Sequence, residues 1–112
     1  MSKKIYFNIN DMVWSIEKKS QKEIKALVDS CDDNGTYFGL TVYSTHSVYL
    51  WDGLCEEQAE RTLMHELMHV YVFSYITSDS TKIYSEEDLC DISANSHDII
   101  EDIVKKYVDE FE

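Results

Sequence analysis

Positive charge is short in this chain: 10 basic side chains stand against 22 acidic ones in 112 residues, a formal charge of −12. A field of that sign repels phosphate backbones and anionic lipid surfaces, so neither nucleic acid nor a membrane is expected as a direct partner. Cysteine is also short. Cys31, Cys55 and Cys90 are odd in number, widely spaced and in no CxxC pair, which argues against a disulfide framework and against a thiolate zinc site and leaves reduced structural thiols. Long apolar runs are missing too. Nothing approaches the roughly 18 residues needed to cross a bilayer, and polar residues interrupt Ile5-Tyr6-Phe7-Asn8-Ile9-Asn10 too early for a signal-peptide core. The expectation is a cytoplasmic protein. With 44% hydrophobic residues, a chain of this length suits one domain with a core that needs no disulfide, and no repeat, low-complexity segment or linker divides residues 1–112.

The periodicities give an α+β order of elements. Ile5, Phe7 and Ile9 alternate with polar or amphipathic residues as in a half-buried strand. From Ile16 to Val28, the spacing of Ile16, Ile24, Leu27 and Val28 predicts an amphipathic helix ending near Ser30, before the turn signal Asp32-Asp33-Asn34-Gly35. Two strands follow, 37–43 with Phe38, Leu40 and Val42 alternating, and 47–51, with Ser44-Thr45-His46 as a hairpin link that leaves His46 facing solvent. Glu56 to about Ile76 contains neither glycine nor proline, and Ala59, Leu63, Leu67, Val70 and Ser74 recur at helical spacing. The second half of this helix is apolar almost all round except for His65, Glu66 and His69, which predicts burial on most sides. After a loop, Ser85 can cap a third helix with Asp88 reaching back, and Leu89, Ile92, Ile99, Ile100, Ile103, Val104 and Val108 carry it to about Phe111.

Polar groups on so apolar a helix need a reason. His65-Glu66-Leu67-Met68-His69 supplies one. Histidines four apart lie one turn up on the same face, so His65 and His69 can aim two ring nitrogens at one zinc ion. Glu66, beside them, can then take the proton of a water made acidic by the metal. A catalytic zinc commonly has a third protein ligand. No glycine follows His69 at the metzincin position, so the donor comes from further on: Glu86, Glu87, Asp88, Asp91 and His97 are the candidates. Tyr84 and His97 are named as donors to the developing oxyanion, ahead of Tyr71 and Tyr75. Either strand between 37 and 51 could offer an edge to an extended peptide. Trp14 and Trp51 read as core or boundary aromatics.

Glu87-Asp88-Leu89-Cys90-Asp91 resembles the second signature of gluzincins, where a glutamate ligand precedes by four residues an acid or amide that supports a ligand histidine. The resemblance implies Glu87 as third zinc ligand and Asp91 as acceptor of the far ring N–H of His65. The region from Thr62 to His69 together with Glu87 to Ala94, roughly the C-terminal half, looks most like the short peptidases of the ImmA/IrrE class, often carried by phages and other mobile elements. Cys90-Asp91 stands where that class commonly has Ala-Asn. What the resemblance implies is a small zincin-like α+β domain, with a short antiparallel or mixed sheet packed on a central HExxH helix and a C-terminal helix. Its implied activity is zinc-dependent endopeptidase action on an intracellular protein, with a regulator as the implied substrate. The acid-rich composition supports another reading, a non-catalytic acidic binding or inhibitor protein that mimics nucleic acid and keeps metal for stability.

Overall fold

A two-residue turn with an unusual backbone organises the N-terminal half. Asn10 and Asp11 both take positive φ, 49° and 62°, the left-handed geometry of a tight hairpin turn, which Asn and Asp tolerate better than other non-glycine residues. The turn joins strand β1 (Lys4–Ile9) to strand β2 (Met12–Lys19), antiparallel, with Ile9 opposite Met12 and Ile5 opposite Ile16. The computed structural model describes residues 3–28, 35–76 and 86–112, excepting the side chains of 75–76 and 86–92.

β2 corrects the sequence reading, which placed a helix from residue 16. Ile16 and Trp14 are fully buried while Val13 is 58% exposed, a period of two rather than 3.6. The helix itself is shorter, α1 (Gln21–Leu27), and starts where Ser20 accepts from the Glu23 backbone N–H while Glu23 reaches back to Ser20. This reciprocal cap fixes the boundary that apolar spacing blurred. The helix closes at Val28, already extended, and Ser30, the expected end, lies outside the described residues.

Strands β3 (Gly39–Val42) and β4 (Ser47–Trp51) form the expected antiparallel pair across a 3-10 turn, Tyr43–Thr45. β4 runs parallel to β2, giving a mixed sheet in the order β1-β2-β4-β3. His46, expected in solvent, takes φ 51° and stacks on Trp14 with ring centroids 4.7 Å apart. The long helix is α2 (Glu56–Tyr71), continued by one π-helical turn, Val72–Ile76. The C-terminal helix is α3 (Glu86–Phe111). α2 and α3 cover one face of the sheet and form the core with it: Ile5, Phe7, Trp14, Ile16, Val48 and Leu50 from the strands meet Ala59, Leu63, Leu67 and Val70 from α2 and Ile103 and Tyr107 from α3.

The domain is therefore α+β, with a mixed sheet packed on the HELMH helix and a C-terminal helix alongside. α2 is not buried on most sides, however. Its sheet-facing row is, but Met64 is 45% exposed and His65 and His69 are exposed. A four-stranded sheet covers only one flank of such a helix, and α3 covers another in part. No helix among the described residues is long and apolar enough to cross a membrane.

Candidate metal centre

His65, Glu66 and His69 come together at the boundary between the buried and open flanks of α2. The two histidines point the same ring atom inward: Nε2 of His65 lies 3.3 Å from Nε2 of His69, with the rings at 82°. Two nitrogens bound at about 2.0 to 2.1 Å to one tetrahedral zinc stand about 3.3 to 3.4 Å apart. The separation matches that spacing, and His65, Glu66 and His69 each offer a ligand atom within 4.8 Å of the others.

Glu66 itself is 7% exposed, and a buried carboxylate needs a donor. Thr41 provides it, its Oγ1 donating to Glu66 Oε1 at 3.0 Å across 25 residues of chain. The strand that carries Thr41 can come so close because position 39 has no side chain. A Cβ on Gly39 would stand 2.7 Å from Thr62 Cγ2, 3.2 Å from the Tyr49 carbonyl oxygen and 3.3 Å from Glu66 Cγ. The Gly39 and Thr41 face of β3 thus looks onto α2. β4 is an interior strand, whereas β3 is an edge of the sheet and lies against α2. A cavity of about 460 Å³ opens between them, bounded by Tyr37, Phe38 and Gly39 on one side and by Arg61, His65 and Glu66 on the other.

Tyr43, at the end of β3, belongs to the same neighbourhood. Tyr43 is 40% exposed; the burial of the rest of the residue raises its phenol pKa above the usual value, and the negative charge of Glu66 adds to the rise. It packs on Phe73 at 4.9 Å and edge-on to Trp14 at 6.5 Å.

The other expected residues are placed differently. Glu87 and Asp91 fall one turn apart at the start of α3, but their side chains, and those of Glu86, Asp88 and Tyr75, lie outside the described residues, as does Tyr84 altogether. Tyr71 is 7% exposed and belongs to the core. His97 is not brought to His65 and His69. It joins a second, exposed cluster, its Nδ1 3.5 Å from both Asp98 and Glu101, on the rim of an apolar groove between α2 and α3 that Met64, Met68 and Ile100 line.

Gly39, Thr41, Tyr43 and Arg61 were missed by the sequence reading. A lone glycine inside a strand pattern does signal close backbone approach, so Gly39 was findable. Thr41, Tyr43 and Arg61 carry no local mark that ties them to Glu66. No protein-family model, curated protein or solved structure matches the chain, so the reading of this centre rests on its own geometry.

Proposed function

We propose that this chain is a zinc-dependent endopeptidase of ImmA/IrrE-like, gluzincin type that acts in the cytoplasm on an intracellular protein, a regulator on the strength of the resemblance. The observation that carries the reading is the 3.3 Å separation of His65 Nε2 and His69 Nε2 with a buried glutamate beside them. His65 and His69 would hold the metal, with Glu87 as third ligand and Asp91 supporting His65. When bound, the zinc supplies Lewis acidity to the scissile carbonyl and the attacking water. Glu66 takes the proton of that water. Thr41 occupies Oε1 of the carboxylate, which leaves Oε2 for this task and fixes the plane of the group. The edge of β3 offers backbone N–H and C=O groups to an extended peptide laid along the cleft. Tyr84 is the expected donor to the developing oxyanion.

Elemental analysis of protein purified without chelator tests the reading. One zinc per chain is expected, lost in His65→Ala and His69→Ala and weakened in Glu87→Gln, with hydrolysis abolished by Glu66→Gln while zinc is retained. Protein that takes up no divalent metal refutes it. If such protein also binds a basic nucleic-acid-binding protein stoichiometrically and in a salt-sensitive way, the acidic binding role takes its place.

A further inference from the structure

The cavity beside His65 contains one positive charge, and it is the only arginine of the chain. Arg61 lies four residues before His65 on α2, one turn along the same face, and lines the cavity together with His65. Its ion partner is Glu57, at 3.5 Å, with both side chains more than three-quarters exposed. An exposed pair of this kind holds its members weakly, and a guanidinium presents a fork of N–H donors that matches a carboxylate with two bonds. The surroundings sharpen the preference. Arg61 is the one cation among the residues lining the cavity, Glu66 forms its floor, and the chain as a whole carries −12. Beside Glu66, the one carboxylate lining the cavity, a peptide carboxylate meets repulsion, whereas at Arg61 it is paired. The same Arg61 repels a lysine or arginine side chain at that subsite.

We propose that Arg61 determines specificity: the substrate carries a carboxylate in the cavity between Arg61 and the Tyr37–Gly39 segment, next to the scissile bond. The inference rests on the peptidase reading. The carboxylate has two sources, an Asp or Glu side chain within the polypeptide or the α-carboxylate of a chain end, and the second would make the protein an exopeptidase.

The test is binding, so that it does not depend on turnover. Three pools of N-acetylated hexapeptides are titrated into isotope-labelled wild-type protein kept in chelator: amidated peptides with one Asp or Glu, amidated peptides with one Lys in its place, and peptides with uncharged side chains and a free C-terminus. Shifts of the Gly39 and Thr62 amides and of the Arg61 side-chain N–H report the cleft. An exposed ion pair corresponds to no more than about fivefold in affinity, so one carboxylate pool is expected to bind about two- to fivefold tighter than the lysine pool. Arg61→Gln removes the difference and Arg61→Glu reverses it. The first pool responding assigns an internal acidic residue, the third a chain terminus. Equal binding of all pools, no binding of any, or a preference unchanged in Arg61→Glu overturns the proposal. The zinc content of the same wild-type protein, measured before chelation, reports separately on the peptidase reading, which fails on absence of metal whatever the peptides do.

Discussion

Replacing Gly39 with alanine adds one methyl group at the tightest approach in the site. The new Cβ would lie 2.7 Å from Thr62 Cγ2, about 1 Å inside ordinary carbon–carbon contact. Its other two neighbours leave little room for escape: the Tyr49 carbonyl at 3.2 Å is backbone of the adjoining strand, and Glu66 Cγ at 3.3 Å belongs to a side chain held by Thr41. The edge strand must move off the helix. Overpacking of this sort costs about 1 to 3 kcal/mol, and in a domain of this size each kcal/mol lowers Tm by about 4 to 8 °C. Thr62→Ser deletes the closest atom, Cγ2, and since Thr62 is only half-buried it should cost less than the roughly 0.8 kcal/mol of a buried methyl. Thermal and urea denaturation of the wild type, both single variants and the double variant give the coupling. The double variant should recover most of the loss, a coupling well beyond the roughly 0.5 kcal/mol of independent sites. Additive effects, or a Gly39→Ala protein as stable as wild type, would refute the claim that this glycine exists to bring β3 against α2.

Three further substitutions test separate parts of the fold and site. Tyr107 is fully buried with a hydroxyl that has no hydrogen-bond partner, so Tyr107→Phe should hold or raise stability at neutral pH by up to about 1 kcal/mol; a loss of that size would reveal a partner. Burial first, then the charges of Glu112, Glu60 and Glu56, push this phenol up to about 12. Because the unfolded chain ionises near 10, stability that is complete below pH 10 is lost as pH rises through 12, and denaturation curves for Tyr107→Phe should show a shallower alkaline decline. Ser20→Ala opens the reciprocal cap of α1 and should cost about 1 kcal/mol by urea denaturation; no change would mean the cap does not hold the β2 to α1 boundary. Thr41→Val removes the donor to Glu66 and should leave zinc stoichiometry intact while lowering hydrolysis about tenfold, the equivalent of one charged hydrogen bond, with Thr41→Ser restoring it.

How much of this was legible in the sequence depended on whether the signal was local. α2, β4 and the course of α3 follow from spacing and from the lack of glycine and proline between Glu56 and Ile76. β2 was lost because Ile16, Ile24, Leu27 and Val28 fit a helical spacing by accident, and because Asn10-Asp11 is a weaker hairpin signal than Asn-Gly. The Ser20 to Glu23 box, readable in place, would have moved the helix start. Within the site, His65, Glu66 and His69 are sequence neighbours, and an α-helix alone puts them together. Thr41 reaches Glu66 only because the edge strand folds over the helix, and nothing near position 41 encodes that crossing.

The helix that carries the centre serves two opposed surfaces, and its geometry changes where the second demand begins. Through His69 it is regular, with Ala59, Leu63, Leu67 and Val70 turned to the sheet and His65 and His69 turned outward. Continued as an α-helix, the outward row would take in Phe73, four residues after His69. The chain instead widens into a π turn over Val72–Ile76. Phe73 then packs on Trp14 at 6.1 Å and on Tyr43 at 4.9 Å, and Ser74 offers its carbonyl to Asn10 in the hairpin turn at 2.7 Å. π turns inside α-helices are uncommon and gather at functional sites. Here the turn lets one helix present two histidines to the cleft and, a single turn later, return an aromatic ring to the same core that supports Tyr43 and the strand holding Glu66.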